Sequence, residues 1–176
     1  MSMKKGIKEF GDEAAKAIIT EFTQFDEKQV FRPQHPTELT REDMRKSLRL
    51  IMFIKKKRCG RIKARGCADG RPQRGYIPKE NATSPTVATE ALFLTSVIDA
   101  KENRCVATCD IDGAFLRMLM RTLTHVKLTG KMAELMVQSN PGKYKNYLCT
   151  SKNCETLLWV EAQKALYGYL ESTRLL

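Results

Sequence analysis

The 176 residues contain no apolar run approaching the roughly 20 residues that a membrane-spanning helix needs. The lysines of "MSMKKGIKEFGDEAAK" have no apolar stretch behind them, which argues against a secretory signal and for an intracellular, cytoplasmic or nuclear chain. Six cysteines occur without a single C-x-x-C pair. Their spacing offers no structural zinc motif, and without a secretory context they read as reduced thiols. Internal repeats and low-complexity tracts are also missing, which excludes solenoids and tail-like disordered arrays. With 42% hydrophobic and 29% charged residues, the composition is that of a soluble globular chain, long enough for one domain or part of a larger one.

Acidic residues are nearly absent from one region. Between Arg45 and Lys79 there are 13 Lys or Arg and one acid, Asp69, a balance of +12. The formal net charge of the whole chain is +11, so everything outside that block sums to −1. A concentrated block of this kind binds polyanions, because each neutralised phosphate releases a condensed counterion. Lys55, Lys56, Lys57, Arg58 and Arg61 are the candidate nucleic-acid contacts. A solvated basic face without a partner is the plainer alternative, and "KKKR" also has the composition of a nuclear localisation signal.

Hydrophobic periodicity predicts an amphipathic helix over "DEAAKAIITEFTQF", with apolar residues at 14, 15, 18, 19, 22 and 25. The two prolines of "FRPQHPTEL" separate it from a second predicted helix, "LTREDMRKSLRLIMFIKKK", with Thr40 as N-cap and Asp43 closing a capping box. "GRIKARGCADGRPQRGY" reads as a strand pair, or a strand and loop. A third helix is expected over "SPTVATEALFLTSVIDAKE", capped by Ser84 with Pro85 at its first position. Then follow a buried strand "RCVATCDI", a strand "THVKLTG", a short helix "KMAELMVQ", and a strand running into a helix or turn at "TLLWVEAQKALYGYL". The fold class is α+β.

Four segments in register, "KARGCADG" (63–70), "SPTVATEALFL" (84–94), "CDIDGAFL" (109–116) and "KALYG" (164–168), resemble the reverse transcriptase region of copia-type LTR retrotransposons. The resemblance covers residues 60 to 170 and leaves 1–38 as an N-terminal helical or connecting segment ahead of an incomplete domain, 39–176. It implies polymerase fingers and the first part of a palm, with a mixed or antiparallel sheet and packed helices. The 84–102 helix would cross one face of that sheet through Val87, Ala91, Leu94, Val97 and Ile98.

The resemblance also assigns roles. Asp110 is then the catalytic, metal-binding carboxylate at the end of a palm strand, assisted by the Ile111 carbonyl, with Mg²⁺ as cofactor. Lys63 and Arg65 neutralise the nucleotide triphosphate, Phe115 lies under the sugar and favours a deoxynucleotide, and Tyr167 and Gly168 shape the pocket beside it. The partners implied are an RNA or DNA template-primer, a deoxynucleotide and the remainder of a polyprotein. No membrane partner is expected. Asp112 reads as structural or incidental.

The departures from the family pattern are as informative. "RMLMRTLTH" replaces the usual turn after "AFL", and "YLESTRLL" keeps only Arg174 of the stretch after "KALYG". No Asp follows Asp112, so the Tyr-x-Asp-Asp element that completes the family's metal site is absent from these residues. The expectation is a reverse transcriptase fragment that is inactive alone. The alternative is a non-enzymatic nucleic-acid-binding protein that works through residues 45–79.

Overall fold

The computed structural model describes residues 1–78, 80, 87–151 and 153–172. The expected cap at Ser84 and Pro85 lies outside these residues, as do Lys79 and Arg174.

The first helix, α1 (Met3–Glu27), is longer than its apolar stretch and is kinked at Gly11, where φ is 52°. Its apolar stripe works as the spacing predicts: Ala14, Ile18, Phe22 and Phe25 are all buried. They lie on a six-stranded mixed sheet built from β1 (Phe31–Gln34), β2 (Leu48–Lys56), β3 (Ile62–Ala68), β4 (His125–Thr129), β5 (Cys149–Thr150) and β6 (Thr156–Ala162). The strand order is β1-β6-β4-β2-β3, with β5 pairing β6 beyond the end of β1. All pairings are antiparallel except β2 with β4, which are parallel at Leu48–Val126 and Arg49–Lys127. The class is therefore α+β, as expected. Four shorter helices complete the described architecture: α2 (Arg41–Lys46), α3 (Thr89–Lys101), α4 (Lys131–Ser139) and α5 (Pro141–Tyr144).

The core lies between the sheet and the paired helices α1 and α4, and includes Met132, Ala133, Leu135 and Met136 of α4. Because β1 pairs β6 from Phe31–Ala162 to Gln34–Trp159, residues 1–38 share this core with the rest of the chain. Phe25 stands edge-on to Phe31, with centroids 5.5 Å apart. Its ring also covers Gly66, where a Cβ would come within 2.7 Å of it.

At the end of α1, Asp26 accepts hydrogen bonds from Lys143 Nζ (2.6 Å), Asn140 Nδ2 (2.6 Å) and the Tyr144 hydroxyl (3.2 Å), tying α1 to α5. Burial works against the Asp26 charge, but these donors win and hold its carboxyl below the usual range. A depressed carboxyl stabilises the fold above its unfolded value near 4, and that contribution is lost as pH falls through the folded value. Asp26→Asn is expected to cost about 1–3 kcal/mol at neutral pH, read from urea midpoints. The gap from the unsubstituted chain should close below about pH 4.

Three expectations are corrected. The second predicted helix stops at Lys46, with its cap as predicted: Thr40 Oγ1 accepts from the Asp43 N–H at 3.1 Å. The following "LRLIMFIKK" is strand β2, burying Leu48, Leu50, Met52 and Ile54 and turning Arg49, Phe53 and Lys55 outward. That alternation has the strand period of two, and the antiparallel pairing to β3 over seven residues fixes it.

The expected strand at 104–111 does not form, and each of those residues is exposed. A strand persists only when paired, and no described segment pairs with it. Asp110 is therefore not on a central strand.

Helix α3 exists, but it begins at Thr89 and buries nothing. Val87, Ala91, Leu94, Val97 and Ile98 face solvent rather than the sheet, with Leu94 at 63% exposure. Its apolar residues surround the axis instead of forming one stripe, so no single face directs it onto the sheet.

Candidate nucleic-acid interface

Strands β2 and β3 form a hairpin whose two faces differ sharply. The inner residues Leu50, Met52, Ile54, Ala64, Gly66 and Ala68 are buried, and α1 packs on these strands. On the outer face, register places Lys55 opposite Lys63, and Phe53 opposite Arg65. The hairpin closes through the Lys57 N–H donating to the Arg61 carbonyl and the Gly60 N–H donating to the Lys57 carbonyl, both at 2.9 Å. Everything from Lys55 to Arg61 is exposed, so Lys55, Lys56, Lys57, Arg58 and Arg61 project from the tip into solvent. The basic block of the sequence is in large part this one projecting hairpin.

Three of the resemblance-derived nucleotide residues come together at its base. The Arg65 guanidinium lies over the Tyr167 ring, 4.6 Å from its centroid. Phe115 meets the same ring edge-on, with centroids 4.8 Å apart.

Backbone contacts bring these distant segments together. The Ala68 N–H donates to the Tyr167 carbonyl at 2.7 Å, and the Leu170 N–H to Gln73 Oε1 at 3.0 Å. The chain around Phe115 is held by the Ala165 N–H donating to Met118 and the Met120 N–H to Gln163, at 2.8 and 3.0 Å. Gly168 permits the crossing: its φ is 93°, and a Cβ there would collide with the Ala68 carbonyl oxygen. Gly168 is thus a backbone requirement of the cluster, and Lys63 lies one outward position further along β3.

Asp110 and Ile111 are not part of this cluster. Both are exposed, in the unpaired segment before the Gly113 turn. Asp112 instead lines a groove of about 950 Å³ between α1 and the hairpin. That groove carries four acids (Glu13, Glu21, Glu27, Asp112) and four cations (Lys16, Lys57, Arg61, Lys63), so its balance is neutral. Three of those cations, Lys57, Arg61 and Lys63, belong to the hairpin itself; Lys55, Lys56, Arg58 and Arg65 are the hairpin cations that do not line the groove.

Among the described residues, no three His, Cys, Asp or Glu side chains gather where a metal ion would sit. Mg²⁺ requires several oxygen ligands, and one exposed carboxylate at Asp110 does not supply them. The residues present do not fit the two-metal site that the resemblance implies.

Two residues that sequence reasoning passed over belong to this region. Glu21 of α1 accepts the Gly66 N–H at 3.0 Å on the free edge of β3. Burial pushes its carboxyl up, against the pull of that hydrogen bond and of Lys63, Arg65 and Lys28. Phe53 is 47% exposed in the middle of the basic outer face. No local signal marks it, because Phe53 lies inside the unbroken apolar run from Leu50 to Ile54, and only the burial alternation of β2 turns it outward.

No described helix is long and apolar enough to cross a membrane. All six cysteines are free. The chain matches no protein-family model, no curated protein and no solved structure.

Proposed function

We propose that the chain is a nucleic-acid-binding module of the polymerase-fingers kind, corresponding to the fingers and first part of the palm of a copia-type reverse transcriptase. It binds nucleic acid without polymerising on its own. The observation that carries this reading is the β2–β3 hairpin: a tip of five exposed cations, Lys55 among them, above a face that also bears Lys63 and Arg65. The contact of Arg65 with Tyr167, and of Tyr167 with Phe115, favours the reverse transcriptase assignment over an unrelated basic hairpin. Three residues given nucleotide roles by family pattern, up to 102 positions apart, share one cluster. In the intact family the deoxynucleotide and template-primer would meet this face. Further polyprotein chain would cover the apolar surface of α3 and the 104–111 segment.

The binding half of the proposal is tested by titrating a labelled single-stranded oligonucleotide at several salt concentrations. If four to six phosphates are contacted, log K should fall against log salt with a slope of roughly −3 to −5, with little dependence on base sequence. An affinity indifferent to salt would contradict it.

The catalytic half predicts a negative. Phosphoryl transfer is accelerated almost entirely by positioning and electrostatic stabilisation, which here lack their metal ligands. The isolated chain should give no primer extension with Mg²⁺ or Mn²⁺, and Asp110→Asn should change nothing. Template-dependent extension abolished by that substitution would overturn this half of the proposal.

A further inference from the structure

Phe53 is a large aromatic ring held in water in the middle of a strand. A single exposed apolar residue is ordinary, so its surroundings decide whether it matters. The exposed apolar residues Leu92, Phe93, Leu94 and Val97 belong to a helix that nothing described covers. Phe53 stands instead on a paired strand of the sheet. Its cross-strand neighbour on the outer face is Arg65, and the next outward pair toward the tip is Lys55 with Lys63. Directly opposed residues bring their Cβ atoms to about 5 Å, within reach of an aromatic side chain. The backbone beneath is fixed on both sides, by β3 and by the terminal residues, where the Ile54 N–H donates to the Met1 carbonyl at 3.0 Å and Ser2 bridges Phe53.

We propose that Phe53 is a base-stacking residue and that the hairpin's outer face takes single-stranded nucleic acid, phosphates on Lys55, Lys63 and Arg65 and one base on the Phe53 ring. This rests on the nucleic-acid-binding reading above and names its ligand class. The physical case is the division of labour in such sites: cations follow the backbone, and an aromatic face accepts any base because every base has a π-face. A duplex keeps its bases stacked on each other and offers none to a ring on a sheet, so single strands are selected over duplex. Arg65 is already engaged with Tyr167 at 4.6 Å, and Phe53 itself remains 47% exposed.

The experiment uses the full chain and a labelled oligothymidylate. Phe53→Ala should weaken binding roughly 5- to 100-fold while leaving the salt slope unchanged, because stacking releases no counterions. Phe53→Trp should keep the affinity, and its added indole fluorescence should be quenched as the oligonucleotide saturates. The single native tryptophan, Trp159, is buried and sets the background. Wild-type affinity in Phe53→Ala, or no quenching in Phe53→Trp at saturation, would overturn the inference while the salt-dependent binding of the wild type still stood. Failure of the wild type itself to bind at low salt would remove the underlying reading as well.

Discussion

Alanine at Lys55, Lys56, Lys57 and Arg58 together is expected to lower the affinity for single-stranded oligonucleotide by roughly 100-fold at low salt and to cut the salt slope by about half. The expectation follows from position. These four side chains and Arg61 project from one hairpin, with nothing acidic among them. Without Lys57 the groove between α1 and the hairpin keeps one more acid than cation, so it has no net attraction for phosphate to fall back on. All four residues are exposed, so the substitutions should leave the thermal melt nearly unchanged, each within about 0.5 kcal/mol. The two readouts separate a binding role from a folding role. A variant that melts normally and keeps the full slope would show that the polyanion is held elsewhere.

The second large effect concerns α1, which the resemblance does not cover. Phe22 is fully buried, its ring centroid 6.1 Å from that of Phe25, inside the core shared by α1, the sheet and α4. Removing such a ring costs the transfer of its atoms plus the cavity left behind, about 3–5 kcal/mol. Against a total of roughly 5–15 kcal/mol for a domain, Phe22→Ala should shift the urea midpoint steeply and populate unfolded chain at physiological temperature. A loss below about 1 kcal/mol would mean that α1 is an appendage and the core is complete without it.

The elements that sequence pattern found are those whose own periodicity meets the core. The stripe Ala14, Ile18, Phe22 and Phe25 has one face to bury, and the Thr40–Asp43 box needs only local geometry. Segment 48–56 differs from the expected helix because a short apolar run after a helix cap is compatible with either period. Its pairing to residues 62–68 decides the matter, and that information is not local. Segment 104–111 is the opposite case: its side chains suit a strand, but no described neighbour pairs with it.

The same distinction runs through the candidate site. The family pattern points to Arg65, Tyr167 and Phe115 separately, and backbone bonds at Ala68, Ala165 and Met120 bring them into one cluster. The same pattern points to Asp110, yet it has no strand to stand on. Phe53 is silent in the sequence because an aromatic in an apolar run looks like core, and only the strand's alternation turns it outward.

The most direct measurement of the central claim is a lysine footprint: brief acetylation of the folded chain with and without saturating oligonucleotide, read residue by residue by mass spectrometry. Lys55, Lys56, Lys57 and Lys63 are all exposed and should be protected in the complex, while exposed Lys101, Lys131 and Lys145, which lie on other elements, should react as before. Protection spread evenly over all lysines, or concentrated on α1 with the hairpin still reactive, would contradict the account.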